Sequence, residues 1–497
     1  MRTFGVAVAT VFCAIQLTAA LPRPDFGLSI DVFSADKTSD VATTASADLD
    51  TLWSTTAITL NADYDTLEEI LTEITAIGTD ALAKIKALFD AIVTLADATT
   101  DPTGAFDAAT AAIDALDTYI TSTTEGLSVN YGSLDTALAT NKIVLQLEDA
   151  FGELADGLGS LRSTLSALKT QVAAAVTKAG SGTVTKAILR QKLSVSDTSD
   201  LTITLLELAS TLKLIFYVLE ESKESLETAD QYLISATGVA GGALAYVDAQ
   251  LHALADEVQL YVGAADSIAT QIRQTSIPNL DFSSLDLSVV ADIQIETGHI
   301  ATTYGANLDT AVTSIKGTFT QYKADVLLVS TGYDAFYGNE GADHVYDVVT
   351  VLINQGPYAE YCYEKYGDAA LALFDINARV AGECVDREIT RLLTLQDVLL
   401  SIAEQIAFSV EDLLATVTAC LDNTTECMAS SIDNYLSDMH DAVDTVHLAV
   451  LAELVEDETD AGLARLQACF AAAKYDMLSR MAAMKTDIFA CETAGPN

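Results

Sequence analysis

The sequence predicts an all-α fold: an elongated antiparallel bundle of long heptad-patterned helices followed by a disulfide-stapled helical hairpin. Three observations carry this expectation. Apolar residues recur at alternating spacings of four and three over as many as about five heptads. Proline is scarce, six in 497 residues, and Pro102, Pro278 and Pro357 stand where the periodic stretches stop, as suits a residue that lacks an N–H and clashes with the preceding turn. Alternating patterns bounded by hairpin turns, which would mark strands, are missing, although Val348 to Ile353 has strand-like composition.

From the N-terminus, Arg2 precedes an uncharged run from Phe4 to Leu17 and the small residues Thr18, Ala19 and Ala20. This predicts a secretory signal peptide over 1–20, cut before Leu21. The competing reading, a signal anchor, is disfavoured because the apolar core is short for a bilayer. A polar segment covers 21–50.

The bundle is expected over 51–355. Its first stripe runs Leu60, Tyr64, Leu67, Leu71, Ile74, Gly78, Ala81, Ile85, Leu88, Ile92, Leu95, and stops at Asp101, Pro102 and Gly104. A shorter helix places Phe106, Ala109, Ile113, Leu116 and Ile120 on one face. Leu147 to Val172 repeats the rhythm on a helix expected to start near Ser133 and to end at the breaker Gly180-Ser181-Gly182. Residues 201–235 give another apolar helix. Leu244 to Ile272 and Ile300 to Val329 form two more, with a loop expected from Thr331 to Asp343. A helix of 36 residues is about 54 Å long, and such helices need neighbours.

Composition narrows the partners. With 71 acidic against 25 basic residues, the formal net charge is −46. Nucleic acid is a poor partner, because its binding relies on Lys and Arg at phosphates, and anionic membranes are disfavoured likewise. Hydrophobic residues make up 50% of the chain, so acidity here does not signal disorder. Leu201 to Leu219 and Leu233 to Val247 are the most apolar stretches. The first is interrupted by Glu207 and Lys213 and the second spans 15 residues, so buried bundle helix is the preferred reading and no stable membrane span is expected. An apolar hairpin that inserts into lipid is the minor alternative.

Cys362, Cys384, Cys420, Cys427, Cys469 and Cys491 lie in the hairpin region, 358–493, with gaps of 22, 36, 7, 42 and 22. The near-symmetry is what a chain folded back near residue 425 requires. Twenty-two residues make about six helical turns, so the two outer cysteines of each arm share a face. Of 15 possible pairings, the spacing predicts Cys362–Cys491, Cys384–Cys469 and Cys420–Cys427. The remaining cysteine, Cys13, leaves with the signal peptide, and six cysteines in an oxidising compartment suit disulfides. Asn423-Thr424-Thr425, the single glycosylation sequon, falls at the expected hairpin tip, and a glycan needs an exposed loop.

Chemistry is sparse. His440 and His447 share a helical face, but a zinc site needs three or four converging ligands. No nucleophile elbow, phosphate loop or calcium-hand pattern occurs. Gly238, Gly241 and Gly242 read as close helix packing. No catalytic residue, cofactor or metal is expected.

Tyr361-Cys362-Tyr363, Ala381-Gly382-Glu383-Cys384, Cys420 with Cys427, and Cys469 resemble the TsetseEP domain of insect secreted proteins. The resemblance covers the last 135 or so residues. It implies an extracellular protein of insect gut, haemolymph or secretory tissue, linked to immune response and without known catalytic residues. The family's Glu-Pro repeats are absent, so nothing follows about the role they serve.

The expected function is therefore that of a secreted, non-enzymatic binding or scaffold protein whose partner is an unknown protein or an apolar ligand. A carrier that opens to hold lipid, or a membrane-active helical protein, is the alternative. Heptad stripes serve bundles and coiled-coil oligomers alike, so oligomeric state is left open.

Overall fold

A computed structural model describes residues 25–53, 58–138, 142–271, 305–422 and 445–495. Among them are eleven α-helices and no strand: α1 Ala35–Leu52, α2 Asp65–Ala96, α3 Pro102–Thr121, α4 Leu127–Ala137, α5 Lys142–Ala179, α6 Lys186–Lys192, α7 Val195–Gln271, α8 Gly305–Gly338, α9 Asp343–Asn354, α10 Ala359–Asp422 and α11 Thr445–Ala494. The fold is all-α, a helical bundle with disulfides in its C-terminal region.

Two compact units form. Among the described residues the first takes 25–234, 349–363 and 490–495, and the second takes 235–348 and 364–489. Neither is a continuous stretch of chain, because α7, α9, α10 and α11 each contribute one part to one unit and the rest to the other.

In the first unit α1 packs on α2, α2 on α3 and α3 on α5. The stripes supply the core: Leu67, Ile74, Ala81, Ile85, Leu88, Ile92 and Leu95 of α2 and Leu147, Phe151, Leu154, Leu158, Leu161, Leu165, Leu168 and Val172 of α5 are all buried. Ile70 and Ile77 join them, widening the a/d seam into the broader face of a globular helix. On α3, Tyr119 is buried while Ile120 is half-buried.

Local sequence sets the helix ends. Asp101 begins α3, its carboxylate accepting from Gly104 N at 3.0 Å, with Pro102 in the first turn, where its missing donor costs nothing. Gly180, at φ +61°, closes α5 as its N–H donates to Val176 O, a conformation glycine adopts without penalty. At the start of α7, Asp197 accepts from Ser194 N and Oγ at 3.1 and 2.6 Å, and Asp197 N donates back to Ser194 Oγ. This reciprocal cap holds the Asp197 carboxyl below its usual range, chiefly through the Ser194 hydroxyl.

The residues ahead of α1 close the turn between α2 and α3. Phe26 N donates to Ala96 O and Gly27 N to Ala98 O, and the Phe26 ring stacks on Phe106 at 6.2 Å. Gly27 has φ +75°, and a Cβ there would lie 2.3 Å from Pro102. Trp53, just after α1, lies over Gly78, where a Cβ would meet its ring at 2.2 Å. Gly78 stands in the apolar stripe as the notch that receives an indole.

Several expectations are corrected. The stripe Leu147 to Val172 belongs to a helix starting at Lys142 rather than near Ser133, because Ser133 lies in α4, which ends at Ala137 and is followed by the extended backbone of Leu138. The segments 201–235 and 244–272 form one helix through Gln271. Gly238, Gly241 and Gly242 lie inside it, exposed, with open space where a Cβ would be, so they are not a close-packing site. Buried Leu233, Ala236, Ala243 and Val247 carry the helical face past them. The expected loop 331–343 is helical to Gly338, because Tyr333, Phe336 and Tyr337 fall at helical spacing and are buried. The run 348–353, strand-like in composition, lies in α9, where Val348, Val349, Val351, Leu352 and Ile353 are buried while Asp343 and Tyr346 stay exposed.

The expected signal peptide 1–20, Cys13, His299, His440, Asn423, Cys427 and the break at Pro278 lie outside the described residues, as does the side chain of Cys420.

Candidate functional site

The antiparallel pair α10 and α11 carries the densest constellation of special side chains. Cys362 bonds Cys491 in the first unit, and Cys384 bonds Cys469 in the second, with Cα atoms 6.0 and 5.9 Å apart. These are the two outer rungs of the expected ladder; Cys420 with Cys427, the inner rung, is not described. In the second unit the register continues beside the bridge: Asn377 Nδ2 donates to Ala473 O at 2.8 Å, and Arg465 Nη2 donates to Glu388 Oε1 at 2.8 Å. The partner's number falls as the residue's rises, which is the signature of antiparallel helices. Cys362 and Cys491 are both buried, whereas Cys384 is buried and Cys469 half-buried; exchange with an outside thiol needs access, so the Cys362–Cys491 bridge is the better protected of the two.

Beside the Cys384 bridge lies a charge cluster. Glu388 is 2% exposed and accepts from Arg465 at 2.8 Å and from Arg391 Nη1 at 3.3 Å. Arg465 also reaches Glu458 at 2.7 Å, and these partners, the Glu388 hydrogen bond foremost, raise its pKa further. Gly462 makes the room: a Cβ there would lie 2.6 Å from Glu388 Oε1. A buried charge is tolerated only when it is paired and hydrogen-bonded, which Arg391 and Arg465 accomplish. Nearby, burial pushes the Tyr322 phenol up, with the Glu388 charge adding to it. A buried carboxylate clamped by two guanidinium groups is satisfied in one alignment of the helices that carry it.

The second element is an aromatic box of α8, α9, α10 and α11. Tyr333 meets Tyr337 at 5.5 Å and Phe470 at 5.0 Å, and Tyr337 meets Phe374 at 5.4 Å, all edge-on. Edge-on contact is the arrangement ring quadrupoles favour. The Tyr337 hydroxyl donates to Asn377 Oδ1 at 2.8 Å. His344, 1% exposed, has its Nε2 2.8 Å from Ala370 O, which makes that nitrogen the donor, and its ring lies 5.1 Å from Phe374. Burial lowers the imidazole pKa, against the opposing pull of the Ala370 bond and the Asp347 charge. Lys474 lies over the rings of Tyr333 and Phe336 at 4.7 and 5.2 Å, a cation–π contact, and burial lowers its pKa.

Of the other histidines described, His252 and His447 are exposed. Among the described residues no group of three His, Cys, Asp or Glu side chains is arranged to hold a metal. One described helix, α7, is long and apolar enough to cross a membrane, by length and composition only; 44% of its most apolar window is buried.

Sequence reasoning missed Asn377, Glu388, His344 and Lys474. Asn377, Cys384 and Glu388 are seven and four apart, a heptad step across a face otherwise marked by cysteine. A polar residue in phase with a disulfide was the available signal.

No family model, curated protein or solved structure matches this chain. The class defined by fold and site is an all-helical, disulfide-fastened protein whose buried polar groups hold helices together.

Proposed function

We propose that this chain is a secreted, non-enzymatic binding or scaffold protein, acting outside the cell through its helical surfaces. The carrying observation is the pair of disulfides along α10 and α11, which suit an oxidising compartment. The non-enzymatic reading is supported by what the buried polar groups do: Glu388, Asn377 and His344 each serve a neighbouring helix. The likeness of the cysteine region to the TsetseEP domain supports a setting in insect gut, haemolymph or secretory tissue and a link to immune response. Asn423 is proposed as the glycan site and Cys420–Cys427 as the third bridge.

Expression of the full chain in insect cells tests this reading. The medium should contain a protein with no free thiol after residue 20, whose mass falls on glycosidase treatment, and whose non-reducing peptide map links Cys420 to Cys427. Retention in the cytosol with reduced cysteines would sink it. Light scattering on the same material gives the oligomeric state.

A membrane-active reading is favoured by one observation, the exposure of Ile203, Leu206, Leu214, Tyr217, Ile234 and Tyr246 along α7. It predicts dye leakage from neutral liposomes; no leakage from pH 5 to 8 removes it. A lipid carrier needs an enclosed apolar pocket of several hundred Å³; the described grooves of that size, one beside Leu214 and Tyr217 and one beside Val41 and Leu206, lie open to solvent and carry charged residues such as Lys213.

A further inference from the structure

Where α8, α10 and α11 meet within the second unit, they enclose a cavity of about 60 Å³. Its wall is aliphatic throughout, with Ala311, Ile315, Ile402, Ala403, Ile406 and Leu448 the residues that matter here. Ala311, Ile315, Ile406 and Leu448 are buried, whereas Ile402 and Ala403 are half-buried, so the cavity reaches the surface and a guest enters without unfolding. The exposed side chains of Val398 and Val450 stand next in sequence to the lining residues Leu399 and Leu451.

The chemistry of the wall selects the guest. A buried water needs two to four polar partners, and an apolar cavity stays dry and takes up non-polar atoms instead. An engineered cavity of about 150 Å³ holds benzene; this smaller one suits a rare-gas atom or the end of an alkyl chain. Charge selects further. Asp309 and Glu404 adjoin the lining residues Leu308 and Ala403, and Lys316, next to Ile315, is engaged by Asp266 at 2.6 Å. A guest bearing a carboxylate would approach a chain of net charge −46, and an aliphatic wall offers that carboxylate no partner to offset the loss of its water.

We infer that this cavity is a binding site for an uncharged aliphatic ligand, entered by its alkyl end. The site is independent of the scaffold reading, because it rests on the wall of one cavity and on no partner protein.

Methyl NMR of the full chain at pH 8 tests it with xenon, 1-octanol and octanoate as probes. Xenon and octanol are expected to shift the methyl signals of Ile315, Ile402, Ile406 and Leu448, with octanoate at least tenfold weaker. Ala403→Leu, which fills the cavity, should abolish these shifts without lowering the melting temperature. If that variant does not fold, Ala311→Val serves in its place. Xenon that leaves the four residues unmoved, or binding that survives the filled cavity, overturns the site. Octanoate binding as tightly as octanol overturns its preference for an uncharged guest.

Discussion

The seams of α1, α2, α3 and α5 and those of α8, α10 and α11 bury similar apolar stripes but fix their register by different means. In the first group the seam is nearly all apolar, with Phe89, Phe106 and Phe151 among its aliphatic residues, and alignment comes from shape: Trp53 in the notch at Gly78, and Gly27 against Pro102. In the second, polar and covalent pairs interrupt the stripe: Glu388 with Arg465, Asn377 with Ala473, and Cys384 with Cys469. The difference matters because a heptad stripe is nearly periodic under a shift of seven residues. Burial drives such helices together without saying where they stop, whereas a buried polar pair is satisfied in one alignment only.

The strongest test removes covalent alignment. Replacing Cys384 and Cys469 together by Ser frees a loop with a sequence separation of 85, and should lower stability by about 4 kcal/mol in the chain-entropy model. Chemical denaturation measures it. A loss below about 1 kcal/mol would mean that the polar pairs, with the Cys362–Cys491 bridge still closed, hold this alignment without the second bridge.

Next is the ion cluster. Arg465→Met leaves Glu388 buried with Arg391 as its remaining cation, and should cost about 3 kcal/mol. The double replacement Glu388→Leu with Arg465→Met should recover most of that loss, and hydrogen exchange along α10 and α11 should then report whether alignment survives. Unchanged exchange in the double variant would break the claim that charge sets register here.

In the first group the counterpart is Gly78→Ala. Alanine gains about 1 kcal/mol of helix propensity, but its Cβ meets the Trp53 ring, which is 3% exposed. Overpacking of this kind costs about 1–3 kcal/mol, so a net loss of about 1 kcal/mol is expected, with a change in Trp53 fluorescence. A gain in stability would show that the indole has room to move and that shape is not the register device.

The smallest expected effect is a pH dependence confined to the aromatic box. Because burial lowers the His344 pKa, the unfolded chain binds its proton more readily than the folded one. Stability from this residue is fully present above pH 6.5, the ordinary value, and is lost as pH falls below it. Asp343 and Asp347 of the same helix oppose the shift, Asp347 being paired with Lys485 of α11 at 2.6 Å, and the imidazole faces Ala370 O and Phe374 from α10. Denaturation midpoints between pH 7.5 and 5.5 should fall more steeply in the natural protein than in His344→Phe. Equal slopes would assign the dependence to surface carboxylates instead.

Much of the fold was legible because each stripe is a local pattern: Leu147 to Val172 announces a helix and its buried face without reference to any other segment. The misreadings were local signals overruled at a distance. Gly238, Gly241 and Gly242 suggest a break or a close contact, yet Leu233 and Val247 bury the same face on either side, and the helix continues. Thr331 to Asp343 looks loop-like by composition, yet Tyr333, Phe336 and Tyr337 gain more by entering the aromatic box than the glycines at 332 and 338 lose. The cysteines were the exception, a long-range relation readable in one dimension, because an antiparallel pair of helices turns spacing into symmetry.

By itself the sequence determined helicity, the buried faces and a chain rich in carboxylates, since propensity, periodicity and charge are properties of neighbouring residues. Tertiary structure alone decided that Gly78 receives Trp53, that Glu388 is held by arginines and that an aliphatic cavity opens at Ala403. Each of these depends on two or more helices arriving at one place, and in a near-periodic stripe the choice among alignments rests on shape and polar contacts that no single helix contains.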